Sequence, residues 1–427
     1  MSTFQQTQLT YAGQSLALDG ADLAELAERH GTPLYVYSGP AVRRSVESFR
    51  AGLAGRKHLL CYAVKASSNI HLLSYLKDLE CGADIVSGGE LTRATRAGVP
   101  GERIVFSGVG KTETEIRAAL DAEILFFVVE SAAELQTISK IAVAAGKTAR
   151  ISLRVNPNID AKTHPYISTG LREHKFGIDH TEVIAIYKQA LELPGCEPVA
   201  IGSHIGSQLT SLQPYRDAAA RVNDLIREVR AAGVELRYVD VGGGLGIPYR
   251  KESEGAAPAD EPPAPEEYTR MLAELMPEDL TIVMEPGRSI IGEAGVLLTR
   301  IILKKKNGAK TFVICDAGMN DLLRPSLYSA YHEILPARRN DGATIKADLV
   351  GPVCETGDFF ARDRVMADFE PGDLAVLRSA GAYSYCMASN YNSRGRPAEV
   401  LIEDDGSARL IRRRETDDDM LRLEEGL

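Results

Sequence analysis

A lysine at the end of an apolar run is the residue of this sequence best suited to covalent chemistry. Lys65 directly follows the run 58–64, after which the chain turns polar. A lysine amine that loses solvent at the end of a parallel strand becomes a nucleophile able to form a Schiff base. The alternative is a lysine whose ammonium group reaches solvent at a strand edge. Other polar residues of the chain decide between these two interpretations.

Polar residues and glycines also mark the ends of other apolar runs. They are Asp84, Arg154, His204 and the segments 242–244 and 285–288. The segment 242–244 is Gly-Gly-Gly, and a triple glycine lets backbone N–H groups approach an anion closely. Such a triplet is more often a plain flexible turn, but here the next run is followed by Gly287 and Arg288. Together they predict a phosphate site.

A phosphate site, a lysine amine and a buried carboxylate favour pyridoxal 5'-phosphate as a cofactor. Glu285 would keep the pyridine nitrogen protonated, which makes the ring an electron sink. His204 would lie flat against the ring. The alternatives are a structural ion pair of Glu285 with Arg154 or Arg288, and a satisfied core histidine at position 204.

Eight apolar runs typical of strands alternate with segments of helical spacing. The runs are 58–64, 83–86, 103–106, 124–129, 150–154, 199–203, 237–241 and 281–285. The helical segments include 69–79, 89–97, 112–120, 132–145, 181–191, 214–232 and 265–275. This alternation predicts an α/β fold with a (β/α)8 TIM barrel, and an open doubly wound sheet is the alternative. The barrel is favoured because its site lies at the carboxyl ends of the strands, where the polar residues fall.

The chain after residue 291 has a different pattern. Short alternating strands are predicted at 295–302, 310–316, 374–378 and 399–402. They indicate a C-terminal all-β domain of sandwich or barrel type. We expect residues 37–291 to form the cofactor-binding barrel, and residues 1–36 and 292–427 to form the β domain. Residues 1–20 should hold one short strand that pairs into the β domain, before a helix at 21–30 and a strand at 33–37.

Two long excursions interrupt the barrel pattern. A loop of the length of 156–180 is usually a lid or a mobile insertion. The acidic segment 251–267 has four prolines and no apolar face, which predicts a flexible surface insertion. The tail, with arginines at 412–414 and aspartates at 417–419, is expected to be a solvated terminal segment.

The composition bounds the class of function. The chain has 427 residues, of which 44% are hydrophobic and 25% charged, as in ordinary soluble globular proteins. A formal net charge of -10 argues against general binding to nucleic acid or acidic membranes. The six cysteines lack metal-ligand spacing, the N-terminus lacks a signal-peptide pattern, and the apolar runs are too short to span a membrane. We therefore expect a cytoplasmic protein with reduced thiols and no metal.

Several segments resemble one known family, the diaminopimelate decarboxylases. These are pyridoxal-phosphate enzymes of the alanine-racemase-like barrel type, related to ornithine and arginine decarboxylases. The resemblance covers nearly the whole chain and rests on the segments 62–66, 82–91, 203–208, 240–244, 285–288, 354–358 and 381–383. One departure is Ser67, where the family usually has Asn; it bears on the surroundings of the lysine and not on the lysine itself.

The resemblance implies a role for single residues around the cofactor. It makes Lys65 the Schiff-base lysine, places His204 on the ring and sets Glu285 at the ring nitrogen. The expected cofactor-binding residues are Lys65, Asp84, Arg154, His204, Ser207, Gly243, Gly244, Glu285, Gly287, Arg288 and Tyr383.

Substrate choice rests on fewer residues. Arg324 and Tyr328 look like the family's pattern for holding a distal carboxylate, and a guanidinium pairs a carboxylate bidentately and repels an ammonium. The alternative for Arg324 is a surface arginine. The expected substrate-binding residues are Arg288, Arg324, Tyr328, Glu355 and Tyr383.

The implied reaction is decarboxylation of meso-2,6-diaminopimelate to L-lysine, the last step of lysine biosynthesis. The implied catalytic residues are Lys65, His204, Glu285 and Cys354, and Cys354 would return a proton to the α-carbon. The family supplies Cys354 and Glu355 from the neighbouring subunit of a homodimer, whose β domain completes the shared site. The alternative for Cys354 is a buried structural thiol.

Other functions remain possible on the same fold. The first alternative is a pyridoxal-phosphate decarboxylase of another basic or dicarboxylic amino acid, of the ornithine, arginine or lysine type. A racemase is a further alternative, and it would release no carbon dioxide. Related barrels without a β domain bind the cofactor without evident decarboxylase activity, but the presence of Arg324, Cys354, Glu355 and Tyr383 in a full β domain argues against that class.

Overall fold

The computed structural model describes residues 6–157, 175–249, 261–340 and 342–425. Contacts divide the described chain into two compact units. One unit lies within Ser45–Ile247 and Ala259–Ser289. The other lies within Met1–Arg44, Pro248–Pro258 and Ile290–Leu427.

The N-terminal lead folds back on itself. Its strands β1 (Leu9–Ala12), β2 (Ser15–Leu18) and β3 (Ala21–Asp22) form a separate three-stranded antiparallel sheet. The expectation of one short strand was therefore wrong, whereas the expected pairing with the β domain is found: the N–H of Leu16 donates to the carbonyl of Ala337, and the N–H of Arg339 donates to the carbonyl of Gln14. Turns with positive φ at Gly13 (63°) and Gly20 (89°) reverse the chain after β1 and β2. The lead touches the β domain through an isolated bridge from Ser15 to Arg338 and by packing Leu16 and Leu18 into its core.

The next elements are α1 (Leu23–His30), β4 (Leu34–Ser38) and α2 (Gly39–Gly52). Helix α1 begins after Asp22, whose carboxylate accepts hydrogen bonds from the N–H groups of Ala24 and Glu25, and it ends at Gly31. The predicted helix and strand are found here within two residues, whereas α2 was not anticipated.

Eight parallel strands close a barrel in the first unit. They are β5 (His58–Ala63), β6 (Gly82–Ile85), β7 (Ile104–Phe106), β8 (Phe126–Val129), β9 (Ala149–Asn156), β11 (Cys196–Gly202), β12 (Tyr238–Asp240) and β13 (Thr281–Met284), and the two-residue strand β10 (Ile178–Asp179) lies beside β9. The sheet runs in the order β9-β11-β12-β13-β5-β6-β7-β8, and β8 pairs again with β9. The predicted barrel is confirmed, and the open sheet is excluded by this closing pair.

Helices follow the barrel strands. They are α3 (Ile70–Asp78), α4 (Gly88–Arg96), α5 (Glu113–Asp121), α6 (Ala132–Ala144), α7 (Val183–Glu192), α8 (Gln213–Ala231), α9 (Pro265–Leu275) and the short α10 (Arg288–Ile291). Four of them begin where a polar side chain caps the free N–H groups of the first turn: Asn69, Ser87, Thr112 and Ser131. Each predicted helical segment is found with ends shifted by at most two residues.

The C-terminal chain forms a β domain, as predicted. Its elements are β14 (Gly295–Asn307), β15 (Lys310–Cys315), α11 (Arg324–Tyr328), β16 (Ile334–Pro336), β17 (Thr344–Val350), β18 (Phe359–Ala367), β19 (Leu374–Leu377), β20 (Ala398–Ile402), β21 (Ala408–Arg412) and α12 (Asp417–Leu421). The main path of its sheet is β18-β17-β15-β14-β4-β20-β21, with β19 beside β14 and β16 beside β19. Strand β4 therefore lies between two strands that are more than 250 residues away in the chain.

The tail differs from the expected solvated segment. Arg412 ends β21, and its guanidinium pairs with the fully buried carboxylate of Glu399. Arg414 donates a 2.7 Å hydrogen bond to the carbonyl of Pro33. The first and last arginines of this basic run therefore belong to the folded domain.

The two excursions lie largely outside the described residues, which exclude 158–174 and 250–260. Among the helices that are described, none is both long enough and apolar enough to cross a membrane.

Candidate active site

A cavity of about 470 Å³ opens at the carboxyl ends of the barrel strands. Its lining includes Lys65, Ser107, Arg154, His204, Asp240 and Glu285. Four of these were predicted from the sequence as site residues, and the fold brings them together from four different strand ends. Asp84 does not line the cavity but contacts Lys65 directly.

Lys65 faces a buried carboxylate. It lies in the short helical turn Val64–Ala66 after β5, and its Nζ donates a 2.8 Å hydrogen bond to Oδ2 of Asp84 on β6. The Asp84 side chain is fully buried, whereas 39% of the Lys65 side chain is exposed. The Lys65 amine therefore points to the cavity and not outward at a strand edge, which leaves it accessible to a carbonyl compound.

Two carboxyl groups at the ends of β12 and β13 share a low-dielectric site. Burial, with further contributions from Asp240 and Asp84, holds the pKa of Glu285 well above its usual range. Burial also raises the pKa of Asp240 to about 7. Ser107 donates a 3.2 Å hydrogen bond to Oε1 of Glu285. This pair therefore retains a proton near neutral pH unless a positive charge is placed beside it.

Glu285 does not form the structural ion pairs that were considered for it. Arg154 Nη1 lies 3.0 Å from Oε1 of Glu130, and Arg288 Nη2 donates a 3.1 Å hydrogen bond to the Ser207 hydroxyl. The Glu285 carboxyl group instead lies at the cavity, where a ligand can reach it.

His204 is held as a neutral imidazole. Its Nδ1 accepts a 3.2 Å hydrogen bond from the N–H of Gly243. Burial and the nearby charges of Arg154 and Lys65 lower the pKa of His204 well below its ordinary value. A Cβ atom at Gly242 would lie 2.8 Å from the same Nδ1, so this turn has to be glycine for the ring to sit there. A neutral, flat ring on the cavity wall suits contact with an aromatic ligand.

The glycines predicted to cradle a phosphate are tightly enclosed. A Cβ at Gly243 would lie 2.2 Å from the Glu285 carbonyl oxygen, and one at Gly244 would lie 2.3 Å from the Gly206 carbonyl oxygen. Gly244 also has φ of +103°, which other residues rarely adopt. At Gly287 a Cβ would lie 3.0 Å from the side chains of Ala63 and Ala66. A side chain at Gly243 or Gly244 would therefore collide with backbone oxygen atoms, and one at Gly287 would press on the two alanine side chains.

One cationic donor at the cavity is buried without a partner among the described residues. It is Nη2 of Arg154, whose guanidinium carbon also lies 4.9 Å from the centre of the Phe176 ring. An uncompensated buried N–H donor is costly, so an anionic or polar ligand atom would stabilise it. The cavity volume, the lysine amine, the neutral imidazole and the carboxyl pair of raised pKa fit pyridoxal phosphate.

The remaining predicted residues belong to the β-domain unit. Arg324 begins α11 and is 6% exposed, so the surface alternative is wrong, while Tyr328 at the end of α11 is half-buried. Cys354 and Glu355 are exposed in the loop between β17 and β18, so a buried structural thiol at Cys354 is also wrong. Tyr383 is half-buried with φ of +55°.

Several residues at these positions were missed by sequence reasoning. Asp240 interrupts an apolar run just before the glycine triplet, which is a signal that could have been used. Glu130, which holds Arg154, also directly follows a strand. His332 and Asn392, which contact Arg324 and Cys354, gave no signal because each contact depends on tertiary folding.

Similarity to known proteins agrees with this geometry. Residues 40–292 match the pyridoxal binding domain of the pyridoxal-dependent decarboxylase family. A diaminopimelate decarboxylase of Aquifex aeolicus is 48% identical over 411 residues, which cover 96% of each chain. The diaminopimelate decarboxylase of Pseudomonas aeruginosa is also 48% identical, and the match covers 95% of this chain and 96% of that enzyme. The chain belongs to the diaminopimelate decarboxylase family.

Solved structures of the diaminopimelate decarboxylase family share the whole fold. The Helicobacter pylori enzyme complexed with L-lysine has a TM-score of 0.89 and 47% identity, covering 95% of this chain and 100% of that one. The M. jannaschii enzyme in complex with L-lysine has a TM-score of 0.90 and 37% identity, covering 98% and 97%. As a member of this family, the protein is a pyridoxal-phosphate-dependent decarboxylase.

Proposed function

We propose that the protein decarboxylates meso-2,6-diaminopimelate to L-lysine and carbon dioxide, the last step of lysine biosynthesis. The observation that carries this proposal is 48% identity to diaminopimelate decarboxylases over nearly the full length of both chains. The barrel cavity supports it, because it combines an accessible lysine amine with the surroundings that pyridoxal phosphate requires.

We propose that Lys65 holds the aldehyde carbon of the cofactor and that His204 lies against the ring face. Ser207, Gly243, Gly244, Gly287, Arg288 and Tyr383 would surround the phosphate. When bound, pyridoxal phosphate supplies an electron sink for the pair of electrons left as the bond to the carboxylate breaks. Glu285 would hold a proton on the ring nitrogen, and the positive charge there would in turn stabilise Glu285 as a carboxylate. Asp84 would orient the Lys65 amine through their 2.8 Å contact.

Substrate selection is proposed to rest on the distal carboxylate of diaminopimelate. The buried guanidinium of Arg324 would pair that carboxylate, with Arg288, Tyr328, Glu355 and Tyr383 completing the contacts. A substrate with an ammonium group in this place would leave a buried charge facing a like charge, which costs several kcal/mol. The Cys354 thiol would return a proton to the α-carbon.

We further propose a cytoplasmic homodimer with shared active sites. Residues 37–291 would carry the cofactor, while residues 1–36 and 292–427 would complete the site and the dimer. Exposure of both Cys354 and Glu355 in the single chain is consistent with their use in a neighbouring subunit.

The decisive test is to add diaminopimelate, ornithine and L-lysine separately to the purified, cofactor-loaded protein. We expect release of carbon dioxide and formation of L-lysine from meso-diaminopimelate, with at least about a hundredfold lower rates on the other two. The Arg324→Ala variant should lose most of this turnover. Equal rates on ornithine and diaminopimelate in the wild type would overturn the substrate assignment, and racemisation without carbon dioxide would overturn the reaction.

A further inference from the structure

A fully buried histidine bridges Arg324 to the protein backbone. His332 lies just before β16 and is 0% exposed. Its Nε2 lies 3.1 Å from Nη1 of Arg324, and its Nδ1 lies 2.8 Å from the carbonyl oxygen of Arg378. All three residues belong to the β-domain unit.

The two neighbours of the ring fix its protonation. A guanidinium has only donors, so Nε2 must present its lone pair to Arg324. A carbonyl oxygen only accepts, so Nδ1 must carry the proton and donate it to Arg378. His332 is therefore a neutral imidazole of one defined tautomer. A second proton on Nε2 would point at the N–H groups of Arg324 and break the contact.

The local fold holds this ring in place. Ser329 ends α11 in a left-handed conformation with φ of +52°, which turns the chain so that His332 returns to the side of Arg324. Arg364 donates a 2.5 Å hydrogen bond to the His332 carbonyl. The backbone carbonyl of Arg378 accepts from the ring. The guanidinium of the same residue is held by the carboxylates of Glu293 at 3.1 Å and Glu333 at 3.0 Å.

An aromatic ring sets the plane of the guanidinium. The Tyr249 ring centre lies 4.5 Å from the guanidinium carbon of Arg324, and the same ring meets His332 edge-on at 5.7 Å. Tyr249 therefore contacts the face of the guanidinium while His332 accepts from its edge. A planar guanidinium fixed by one face and one N–H has a defined direction for its other donors, which is what bidentate recognition of a carboxylate needs.

We propose that His332 is a positioning residue that makes Arg324 selective for the distal carboxylate. This inference rests on the proposed function, because it assumes that Arg324 binds that carboxylate. A neutral acceptor orients the guanidinium without cancelling its charge, in contrast to the Glu130 carboxylate that holds Arg154. An acid in place of His332 would compete with the substrate for the same cation.

The test compares two ligands of the cofactor-loaded enzyme. L-lysine carries a carboxylate at its distal end when its ε-amine occupies the reaction centre, and cadaverine is the same diamine without that carboxylate. Their dissociation constants are measured from the change in visible absorbance of the bound cofactor. The variants are His332→Phe, His332→Asn and His332→Gln, with Arg324→Ala as the reference for complete loss.

The variants separate the two hydrogen bonds of the ring. The Phe variant loses both hydrogen bonds. The Asn variant can still donate to the Arg378 carbonyl from near the Nδ1 position, but its side chain is too short to reach Arg324. The Gln variant can place an oxygen near the Nε2 position, where it can accept from Arg324. Tyr11→Phe is the control, since it removes a 2.7 Å hydrogen bond to the carbonyl of Pro336 on β16, the strand that follows His332. We expect lysine to bind about tenfold or more weakly to the Phe and Asn variants, cadaverine to change by less than about twofold, and Gln to recover most of the lysine affinity. The KM for diaminopimelate should rise by a similar factor, with a smaller change in kcat.

If the binding of lysine and of cadaverine weakened equally, the variants would have a general structural defect and the inference would be overturned. Unchanged lysine binding in the Asn variant would also overturn it. If His332→Phe does not fold, the comparison of Asn with Gln decides. A wild type that releases no carbon dioxide from diaminopimelate would overturn the proposed function. An active wild type in which Arg324→Ala weakens lysine selectively, while His332→Asn does not, would overturn only the role of His332.

Discussion

Replacing Asp240 by Asn should make the cofactor-free protein less sensitive to pH. Asp240 is buried beside Glu285, and its pKa is raised from 3.8 to about 7. A carboxyl group that binds its proton more tightly in the folded state favours folding below pH 3.8, and this contribution disappears as the pH rises through about 7. Wild-type stability should therefore fall between about pH 4 and pH 7. Asn cannot ionise, yet it can still accept the 2.9 Å hydrogen bond from the N–H of Gly242.

The size of this effect follows from the pKa difference. A rise from 3.8 to about 7 is about three pKa units, or about 4 kcal/mol as an upper limit at about 1.36 kcal/mol per unit. Two of these pKa units lie between pH 5 and pH 7. Over this range the free energy of unfolding of the wild type should therefore fall by about 2 to 3 kcal/mol relative to that of Asp240→Asn. For a folded unit of the size of the barrel, this loss of stability corresponds to a decrease of about 5 to 10 °C in Tm.

The assay is calorimetry of the cofactor-free wild type and variant at pH 5, 6 and 7. Asp121→Asn is the control, because it makes the same chemical change at a side chain that is 75% exposed. Adding pyridoxal phosphate should reduce the pH effect in the wild type, since a protonated ring nitrogen would bring a positive charge to the carboxyl pair. A Tm difference between wild type and Asp240→Asn that stays constant from pH 5 to pH 7 would refute the reasoning.

Three further outcomes are expected. Borohydride should fix the cofactor on Lys65 and Lys65→Ala should abolish the covalent link, as mapped by peptide mass spectrometry; a reduced adduct on Lys175 would contradict the assignment. Gly244→Ala should weaken cofactor binding by about tenfold or more in a fluorescence titration while the chain stays folded, because φ of +103° and the 2.3 Å approach to Gly206 exclude a side chain; unchanged affinity would argue against the cradle. Inactive Lys65→Ala and Cys354→Ala dimers, unfolded together and refolded in equal amounts, should recover about a quarter of wild-type activity, because about half of the dimers are mixed and each mixed dimer has one intact site. No recovery, with exchange of subunits demonstrated, would rule out the shared site.

The barrel could be predicted because local and global signals agree. Each strand is a short apolar run, and caps such as Thr112 and Ser131 mark where the next helix begins. Closure needed more than periodicity: it depends on β8 pairing with β9 as well as β7, and no local pattern encodes that pairing.

The regions that were predicted wrongly have weak local signals. The N-terminal lead contains three strands of two to four residues, each too short to show alternation, and its sheet forms because Leu16 and Leu18 pack into the β-domain core. Arg412 looked solvated because its partner, Glu399, is thirteen residues earlier in the chain on a neighbouring strand. Both errors concern contacts made by tertiary folding, where a polar or short segment gains burial that its own sequence does not indicate.

The charges of the barrel cavity explain why its chemistry was visible in the sequence only in part. Lysine and glutamate at strand ends are recognisable because such residues are rare beside apolar runs, but their chemical state depends on the groups around them. Asp84 holds the Lys65 amine, Glu130 holds Arg154, and Asp240 keeps a proton on the carboxyl pair with Glu285. The first two pairings bind each cation to another carboxylate, and the attraction of Lys65 and Arg154 for Glu285 is weaker than the effect of burial, Asp240 and Asp84, so its pKa stays raised. A closer positive charge would come from the ligand in our proposal, because the protonated pyridine nitrogen beside Glu285 would belong to the ring that also has to accept the electrons of decarboxylation.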